Sequence, residues 1–269
     1  MVQLSIMNCL QQVSYSWTKE IDLRVIDLPL VASSYKVPLI IFIYLYFVLG
    51  CGPKFMKNKP PYELKTFMYL YNITQIFANT WLIYDIIEAG LFSSKLICPS
   101  IDFSYDYMPM RLTRSIWYYF LLKIWDLVET GIFVLRKKSN QVSGLHLYHH
   151  VSTLSLTWIC MRYYAIAPVL IVCITNNLIH VTMYIYYFLT TCGPTVQKTA
   201  AFIKQWITTV QMIQFVVLMM YVIHPFIVGC KVGTDCTKWM MMIAIIDIAI
   251  NFFNFHNFYQ SSYKKNKKS

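Results

Sequence analysis

The sequence predicts an all-α, polytopic membrane protein. Hydrophobic residues make up 57% of its 269 residues and charged residues only 13%, with a mean hydropathy of +0.49. Soluble domains carry about 25% charged residues, so this chain cannot cover itself with polar surface, and lipid is its expected solvent. Backbone groups in lipid must hydrogen-bond within the protein, and no alternating pattern of barrel strands is visible, so the spans are predicted to be helices.

Seven apolar stretches approach or reach the roughly 20 residues that cross a ~30 Å hydrocarbon core. Around them we predict a lumenal N-terminal segment at 1–35, a seven-helix transmembrane domain at 36–260 and a cytosolic lysine-rich tail at 261–269. The start of the chain shows no cleavable signal pattern. The seven stretches are placed near 36–52, 66–88, 115–135, 146–164, 168–190, 201–224 and 238–260.

The distribution of lysine and arginine between the loops predicts the orientation of the spans. One set of connections is rich in basic residues and contains only one acid, Glu63, whereas the opposite set mixes basic residues with many acids. With seven spans the termini lie on opposite sides. We therefore expect a cytosolic C-terminus and a lumenal N-terminus.

Three cysteines, Cys98, Cys230 and Cys236, fall in loops that this orientation makes lumenal, where a disulfide can persist. The pairing we expect first is Cys98 with Cys230. Pairing of Cys98 with Cys236 and free thiols remain alternatives.

Charged residues interrupt the third stretch, LKIWDLVETGIFVLRKK, and ionisable groups inside a membrane are functional candidates. Lys123, Asp126 and Thr130 recur at helical spacing and share one face, with Glu129 beside them. A lone buried charge is costly, so these groups are predicted to form a paired network. An ion pair with only a structural role is the alternative.

The stretch HLYHH opens the fourth span with His146, His149 and His150 on one side of a helix. Further polar stripes lie in the second, fifth and sixth spans, and all fall in the half of the membrane predicted to face the cytosol. This arrangement favours a polar chamber over scattered interhelical hydrogen bonds. The stripes comprise Tyr71, Asn72 and Gln75; Asn176, His180, Tyr184 and Tyr187; and Lys204, Thr208, Gln211 and Gln214.

Histidines clustered in this way could bind a metal or carry an acyl group. The chain has six histidines, and we assign His224 and His256 to packing or surface positions. The remaining four could hold one zinc but not the ligand set usual for two irons. We therefore favour nucleophilic imidazole chemistry and predict no metal.

Six segments in order resemble the fatty acid elongases, the condensing enzymes of very-long-chain fatty acid synthesis in the endoplasmic reticulum. They are LGCGPKFMKNKPPYELK, LYNITQ, LKIWDLVETGIFVLRKK, HLYHH, NNLIHVTMYIYY and KQWITTVQMIQF. The resemblance covers nearly the whole chain from about residue 35, and FYQSSYKK near the end also fits. Three positions depart from the family pattern: Asp126 and Glu129 exchange the usual order of acids, and Asn177 replaces a serine.

The resemblance implies a very-long-chain 3-oxoacyl-CoA synthase, an acyltransferase whose helices form a barrel around an acyl tunnel. It would condense a long-chain acyl-CoA with malonyl-CoA, release CO2 and CoA, and need no cofactor. His149 is the expected nucleophile, with His180, His146 and His150 assisting. The supporting residues we expect around the chamber are Lys123, Asp126, Glu129, Asn176, Tyr184, Thr208, Gln211 and Gln214.

Basic residues at the cytosolic face are candidates for binding the phosphates of coenzyme A, although lipid headgroups attract the same charges. They are Lys204, Lys137, Lys138, Lys54 and Lys57. The tail KKNKKS resembles a dilysine signal for the endoplasmic reticulum. The expected partners are the bilayer, the reductases and dehydratase of the elongation cycle and a second copy of the chain, but no nucleic acid. A metal-dependent lipid oxygenase or desaturase and a non-enzymatic seven-span transporter or receptor are the alternatives.

Overall fold

The computed structural model describes residues 21–90, 98, 102–230 and 235–264, and within these ranges the regular secondary structure is entirely helical. The first long helix includes a π-helical turn at Phe47–Cys51, and the last continues into a π-helical turn at Gln260–Lys264. The long helices are α1 (Lys36–Met56), α2 (Lys65–Glu88), α3 (Tyr107–Leu135), α4 (Gly144–Tyr163), α5 (Pro168–Thr191), α6 (Pro194–Val228) and α7 (Asp235–Tyr259).

Each predicted apolar stretch coincides with one of these helices, and the boundaries differ by a few residues. The largest differences are at α3, which begins eight residues before the predicted start at 115, and at α6, which begins seven residues before 201. Among the residues that the structure describes, four helical segments are long and apolar enough to cross a membrane, as expected for a multi-pass membrane protein. These segments are Lys36–Met56, Pro168–Thr191, Ile203–Val228 and Thr237–Lys264.

Local sequence signals explain several helix ends. Ser143 caps α4, because its side-chain oxygen accepts a hydrogen bond from the backbone N–H of His146 at 3.2 Å. Pro168 and Pro194 occupy the first turns of α5 and α6, where the missing N–H has no helical partner to lose. Helix α6 ends at Val228 and is followed by Gly229, whose φ of 72° lies in the left-handed region.

Helices α2 to α7 contact one another in a cyclic order. Helix α2 packs against α5, α5 against α6, α6 against α7, α7 against α4, α4 against α3, and α3 against α2. Helix α1 packs against α3 and touches α4. We call the end of the bundle where α4 begins the histidine end, and the opposite end, where α4 finishes, the disulfide end.

Two arginines close the disulfide end by donating hydrogen bonds to backbone carbonyl oxygens. The guanidinium of Arg24 donates to the carbonyl oxygen of Ala165 at 3.1 Å and forms an ion pair with Asp22. Arg162 donates to the carbonyl oxygens of Val31 at 3.2 Å and Ala32 at 2.8 Å. These contacts fasten the chain before α1 to the loop after α4.

A disulfide joins Cys98 to Cys230 at the same end, with 5.6 Å between the two Cα atoms. This is the pairing that the sequence analysis placed first. The alternative partner, Cys236, has a side chain outside the described residues. The bond connects the segment between α2 and α3 to the residue that follows α6.

We expect Gly52→Ala to destabilise the protein by about 1–3 kcal/mol, because a methyl group there overfills a tight contact. A Cβ atom at Gly52 would lie 2.6 Å from the carbonyl oxygen of Phe47 and 2.8 Å from Cγ1 of Val134 on α3. Gly50→Ala is the matched control, because its Cβ would meet only a ring carbon of Tyr46 at 4.0 Å. Thermal unfolding in mild detergent measures both variants. Equal melting temperatures would contradict the close approach of α1 and α3.

We expect loss of the Cys98–Cys230 disulfide to lower stability by about 2–5 kcal/mol, because the bond closes a loop with a sequence separation of 132. Cys98→Ser and Cys230→Ser should lower the melting temperature equally, and the double variant should resemble either single one. Cys192→Ser is the control, since Cys192 is an exposed free cysteine. Unequal effects, or an effect of reductant on the double variant, would show that these two cysteines are not partners.

Candidate active site

A buried ion pair lies at the centre of the polar cluster. Nζ of Lys123 is 2.7 Å from Oδ2 of Asp126, and the two residues are only 3% and 1% exposed. They are three residues apart on α3, so helical spacing brings them together. The predicted pairing of these two charges is therefore present in the structure.

Neighbouring helices supply hydrogen bonds to both members of this pair. Nε2 of Gln75 on α2 donates to Oδ1 of Asp126 at 2.8 Å. Nζ of Lys123 also donates to Oδ1 of Asn176 on α5 at 2.8 Å, and the hydroxyl of Tyr119 donates to the same oxygen at 3.1 Å. A buried pair is tolerable when further hydrogen bonds satisfy its remaining groups, and this pair meets that condition.

His180 lies beside the ion pair without completing a hydrogen bond to it. Its Nδ1 is 3.7 Å from Oδ2 of Asp126, close enough for electrostatic interaction but too far for a hydrogen bond. No described residue offers that nitrogen a hydrogen-bond partner. Buried polar atoms are rarely left unpaired, which distinguishes this nitrogen from the fully bonded groups of the ion pair.

Tyr184, one helical turn after His180, connects the two acids of α3. Its hydroxyl donates at 3.4 Å to Oδ1 of Asp126 and at 3.4 Å to Oε2 of Glu129. Its ring lies 5.7 Å from the ring of His180. Glu129 and Tyr184 were both predicted to support the site, and both are buried within it.

The three histidines of α4 form a second group. The ring centroids of His146 and His150 are 4.2 Å apart, and those of His149 and His150 are 5.7 Å apart. Unlike His180, all three are half-buried. The ring centroid of His149 is also 6.0 Å from that of Phe255 on α7, and the two rings meet edge to face.

Thr130 joins this histidine group to α3. Its hydroxyl forms a hydrogen bond with Nε2 of His146 at 2.8 Å and another with the hydroxyl of Tyr44 at 2.9 Å. Helical spacing in the sequence predicts Thr130 on the face of Lys123 and Asp126. The structure turns its side chain toward α1 and α4, so it orients His146 and does not contact the ion pair.

An elongated cavity begins at the site and runs toward the disulfide end. His149, Asn176 and Tyr119 line it beside the polar cluster, and it holds about 1500 Å³ of empty space, part of it open to the surroundings. Most of its other lining residues are apolar or threonine. Representatives near the far end are Cys160, Pro168, Val169, Pro225 and Met240.

The predicted residues of α6 divide into different environments. Gln214 is buried and lines the cavity beside Phe215. Thr208 is buried too, but its hydroxyl donates to the carbonyl oxygen of Lys204 at 3.2 Å and lies 3.4 Å from the hydroxyl of Tyr263. Gln211 is half-buried. Of the α6 residues predicted to support the site, Gln214 is therefore the one that lines the cavity.

All five lysines predicted to bind coenzyme A are exposed, and all belong to the histidine end. Nζ of Lys137 donates to the carbonyl oxygen of Lys57 at 3.3 Å, which brings the loop after α3 against the end of α1. The others are Lys54, Lys138 and Lys204.

Several residues in and around the site escaped the sequence analysis as site candidates. Gln75 and Tyr71 were noted only as a polar stripe, yet Gln75 binds Asp126 directly and also donates to the hydroxyl of Tyr71 at 2.9 Å. Asp247 was overlooked, although an acid in an apolar span is itself a signal. The hydroxyls of Tyr44 and Tyr119 gave no signal in a chain with 21 tyrosines.

Long apolar helices surrounding a buried cluster of charged and imidazole side chains define an integral membrane protein with a polar site inside its bundle. Comparison with known proteins agrees with this class. The model of the ELO (GNS1/SUR4) family matches residues 29–269. Within the ranges that the structure describes, no three His, Cys, Asp or Glu side chains are grouped as a metal-binding set.

Curated relatives include very long chain fatty acid elongase 4 of Mus musculus, which is 36% identical over 260 residues, or 95% of this chain and 80% of the relative. Very long chain fatty acid elongase 1 of Mus musculus is 33% identical over 93% of this chain and 89% of the relative. Very long chain fatty acid elongase 7 of Drosophila melanogaster is 32% identical over 91% and 73%. The chain belongs to the ELO family.

We expect Lys123→Met to destabilise the protein by about 3–5 kcal/mol, because it leaves the buried carboxylate of Asp126 without a cation. The double variant Lys123→Met, Asp126→Leu should recover most of this loss. Lys65→Met is the control: Lys65 and Glu63 are 3.8 Å apart but mostly exposed to solvent, so its effect should stay within about 0.5 kcal/mol. Unfolding in mild detergent measures all three. A Lys123→Met variant as stable as the wild type would contradict the buried pairing.

Proposed function

We propose that this protein condenses a long-chain acyl-CoA with malonyl-CoA to give 3-oxoacyl-CoA, CO2 and CoA, the first step of very-long-chain fatty acid elongation. The observation that carries the proposal is the cavity that starts at His149 and Asn176 and continues between apolar side chains toward the disulfide end. The three relatives named above are fatty acid elongases and support the same assignment.

The depth of the cavity suits an acyl chain. From His149 to Cys160, both of which line it, α4 advances eleven residues, or about 16 Å. One leaflet occupies about half of a ~30 Å hydrocarbon core, so this depth is similar to the length of the acyl chains in a membrane lipid. The cyclic packing of α2 to α7 supports a barrel of helices around this tunnel, and α1 would be a seventh span packed outside it.

In the first half-reaction, a ring nitrogen of His149 attacks the thioester carbonyl of the acyl-CoA. The carbon–sulfur bond breaks, an acyl-imidazole forms, and the proton lost by the imidazole passes to the CoA thiolate. The ring centroid of His150 lies 5.7 Å from that of His149 and 4.2 Å from that of His146. His150 would therefore assist this transfer directly, and His146 through His150.

In the second half-reaction, malonyl-CoA loses CO2 and becomes an enolate, whose carbon attacks the acyl-imidazole carbonyl. The carbon–nitrogen bond breaks, 3-oxoacyl-CoA is released and the imidazole recovers a proton. His180 is the group we assign to positioning the thioester or transferring a proton, because its Nδ1 has no hydrogen-bond partner among the described residues. Lys123, Asp126 and Asn176 hold this part of the chamber in place.

The substrates and setting follow from the same proposal. Lys54, Lys57, Lys137, Lys138 and Lys204 would bind the phosphates of coenzyme A from the cytosol. The protein would lie in the endoplasmic reticulum membrane with a lumenal N-terminus and a cytosolic C-terminus. It would hand its product to a reductase, since a 3-oxoacyl group must be reduced before a second elongation. A homodimer and contacts with the later enzymes of the cycle remain expectations.

His149→Ala should abolish transfer of a labelled acyl group from acyl-CoA to the protein, because it removes the attacking nitrogen. His180→Ala should lower overall condensation by at least about a hundredfold, the usual contribution of general acid–base catalysis. His256→Ala is the control; His256 bonds to Gln260 at 3.0 Å and stacks on Phe252. Acyl transfer is followed in one turnover without malonyl-CoA, and condensation by product analysis. Unchanged labelling of the His149 variant would exclude it as the nucleophile.

A further inference from the structure

A run of three side chains joins α1 to the histidines of α4. The hydroxyl of Tyr44 on α1 lies 2.9 Å from Oγ1 of Thr130 on α3, and that oxygen lies 2.8 Å from Nε2 of His146. Tyr44 is 7% exposed, and Thr130 is fully buried. The proposed reaction gives Tyr44 no role, although its hydroxyl is only two hydrogen bonds from the histidine group.

Thr130 differs from other threonines of these helices in where its hydroxyl proton can go. A helical threonine often donates to the carbonyl oxygen four residues earlier, as Thr113 and Thr157 do at 2.8 Å and 2.7 Å. Within the part of the chain that the structure describes, Thr130 makes no such bond, and the partners of its hydroxyl are Tyr44 and His146. Its single proton must therefore go to one of these two.

Counting donors and acceptors decides between them. A hydroxyl has one proton to donate and two lone pairs that accept. If Thr130 donated to Tyr44, the proton of the buried Tyr44 hydroxyl would have no acceptor among the described residues, and an unpaired buried donor is costly. If Tyr44 donates to Thr130 and Thr130 donates to His146, both hydroxyl protons are used. Nε2 of His146 is then the acceptor, so the ring proton lies on Nδ1.

This tautomer restricts what His146 can do. Its Nδ1–H is a donor, whereas the lone pair of Nε2 is occupied by Thr130. A proton added to Nε2 would reverse the run and leave the Tyr44 hydroxyl without an acceptor. The ring centroid of His150 is 4.2 Å from that of His146 and 5.7 Å from that of His149. His146 therefore offers the histidine group a fixed donor, and accepting a proton is left to His150 and His149.

We propose that Tyr44 is a positioning residue: it donates to Thr130, Thr130 donates to His146, and this run holds His146 as the Nδ1–H tautomer. Its effect on rate rests on the proposed condensation, whereas the tautomer is a property of the folded protein alone. The described residues that line the cavity include none from α1. Helix α1 would therefore act on the reaction from outside the cavity, through hydrogen bonds.

Magic-angle-spinning NMR of the full chain in lipid bilayers, with histidine labelled at both ring nitrogens, measures the tautomer directly. The signals of His146 are identified by their absence from the spectrum of His146→Gln. We expect a protonated Nδ1 and an unprotonated, hydrogen-bonded Nε2 in the wild type. A protonated Nε2 on His146 would overturn the inference, whether or not the protein elongates any substrate.

Variants that remove one hydroxyl each connect the tautomer to this run. Tyr44→Phe frees the Thr130 oxygen to accept from His146, so a signal from protonated Nε2 should appear. Thr130→Val removes the partner of Nε2 and should give the same signal, whereas Thr130→Ser keeps the hydroxyl and should restore the wild-type spectrum. Tyr46→Phe is the matched control, because Tyr46 is also on α1 but is 62% exposed. A Tyr44→Phe spectrum identical to the wild-type spectrum would overturn the role of Tyr44.

Transfer of a labelled acyl group from acyl-CoA in one turnover measures the effect on the reaction. Tyr44→Phe should lower the rate at saturating acyl-CoA about fivefold, as expected for one neutral hydrogen bond, without changing the half-saturating concentration. Tyr46→Phe should keep the wild-type rate. An unchanged rate in Tyr44→Phe would overturn the positioning role. If the wild type itself transfers no acyl group, the proposed function fails, and the NMR spectra still decide the tautomer.

Discussion

A lysine ammonium and an aspartate carboxylate lie 2.7 Å apart in the middle of the bundle, and both are almost fully buried. Removing two charges from water costs several kcal/mol each, and their attraction offsets this cost only when other groups complete the hydrogen bonding. Here the completing groups come from other helices, Gln75 on α2 and Asn176 on α5. The pair on α3 therefore ties three helices together, and α2 and α5 cannot slide along α3 without exposing an unpaired charge to an apolar interior.

The histidines depend on the same helix. Thr130 is one helical turn beyond Asp126, and its hydroxyl binds His146. Helix α3 thus fixes the ion pair on one side and orients the α4 histidines on the other, while Asn176 and His149 meet in the wall of one cavity. Catalytic groups must be held within a fraction of an ångström of their working positions, and packed helices achieve this better than loops do.

Periodicity in the sequence predicts well which residues share one face of a helix, and it predicts poorly which residues of other helices they contact. It correctly joined Lys123 to Asp126 because both lie on one helix, and hydropathy located every long helix to within several residues. It could not predict that Gln75 would reach Asp126 or that Thr130 would turn to His146, because such contacts depend on how helices rotate and pack. The cyclic order of the helices has no counterpart in a one-dimensional pattern. Asp247 is a different case, since its charge in an apolar span was visible from the start.

The contrast between a polar chamber and an apolar cavity has a chemical reason in the proposed reaction. An acyl-imidazole is hydrolysed by water, so an intermediate on His149 survives only where the acyl chain itself fills the space behind it. The apolar wall from His149 to Cys160 excludes water when a chain is bound, and it also strengthens every charge interaction near the reacting carbonyl. The polar groups that hold the reacting chamber in place must nevertheless be close by. Placing them on α3 and α5, and the nucleophile on α4 at the mouth of the cavity, meets both requirements.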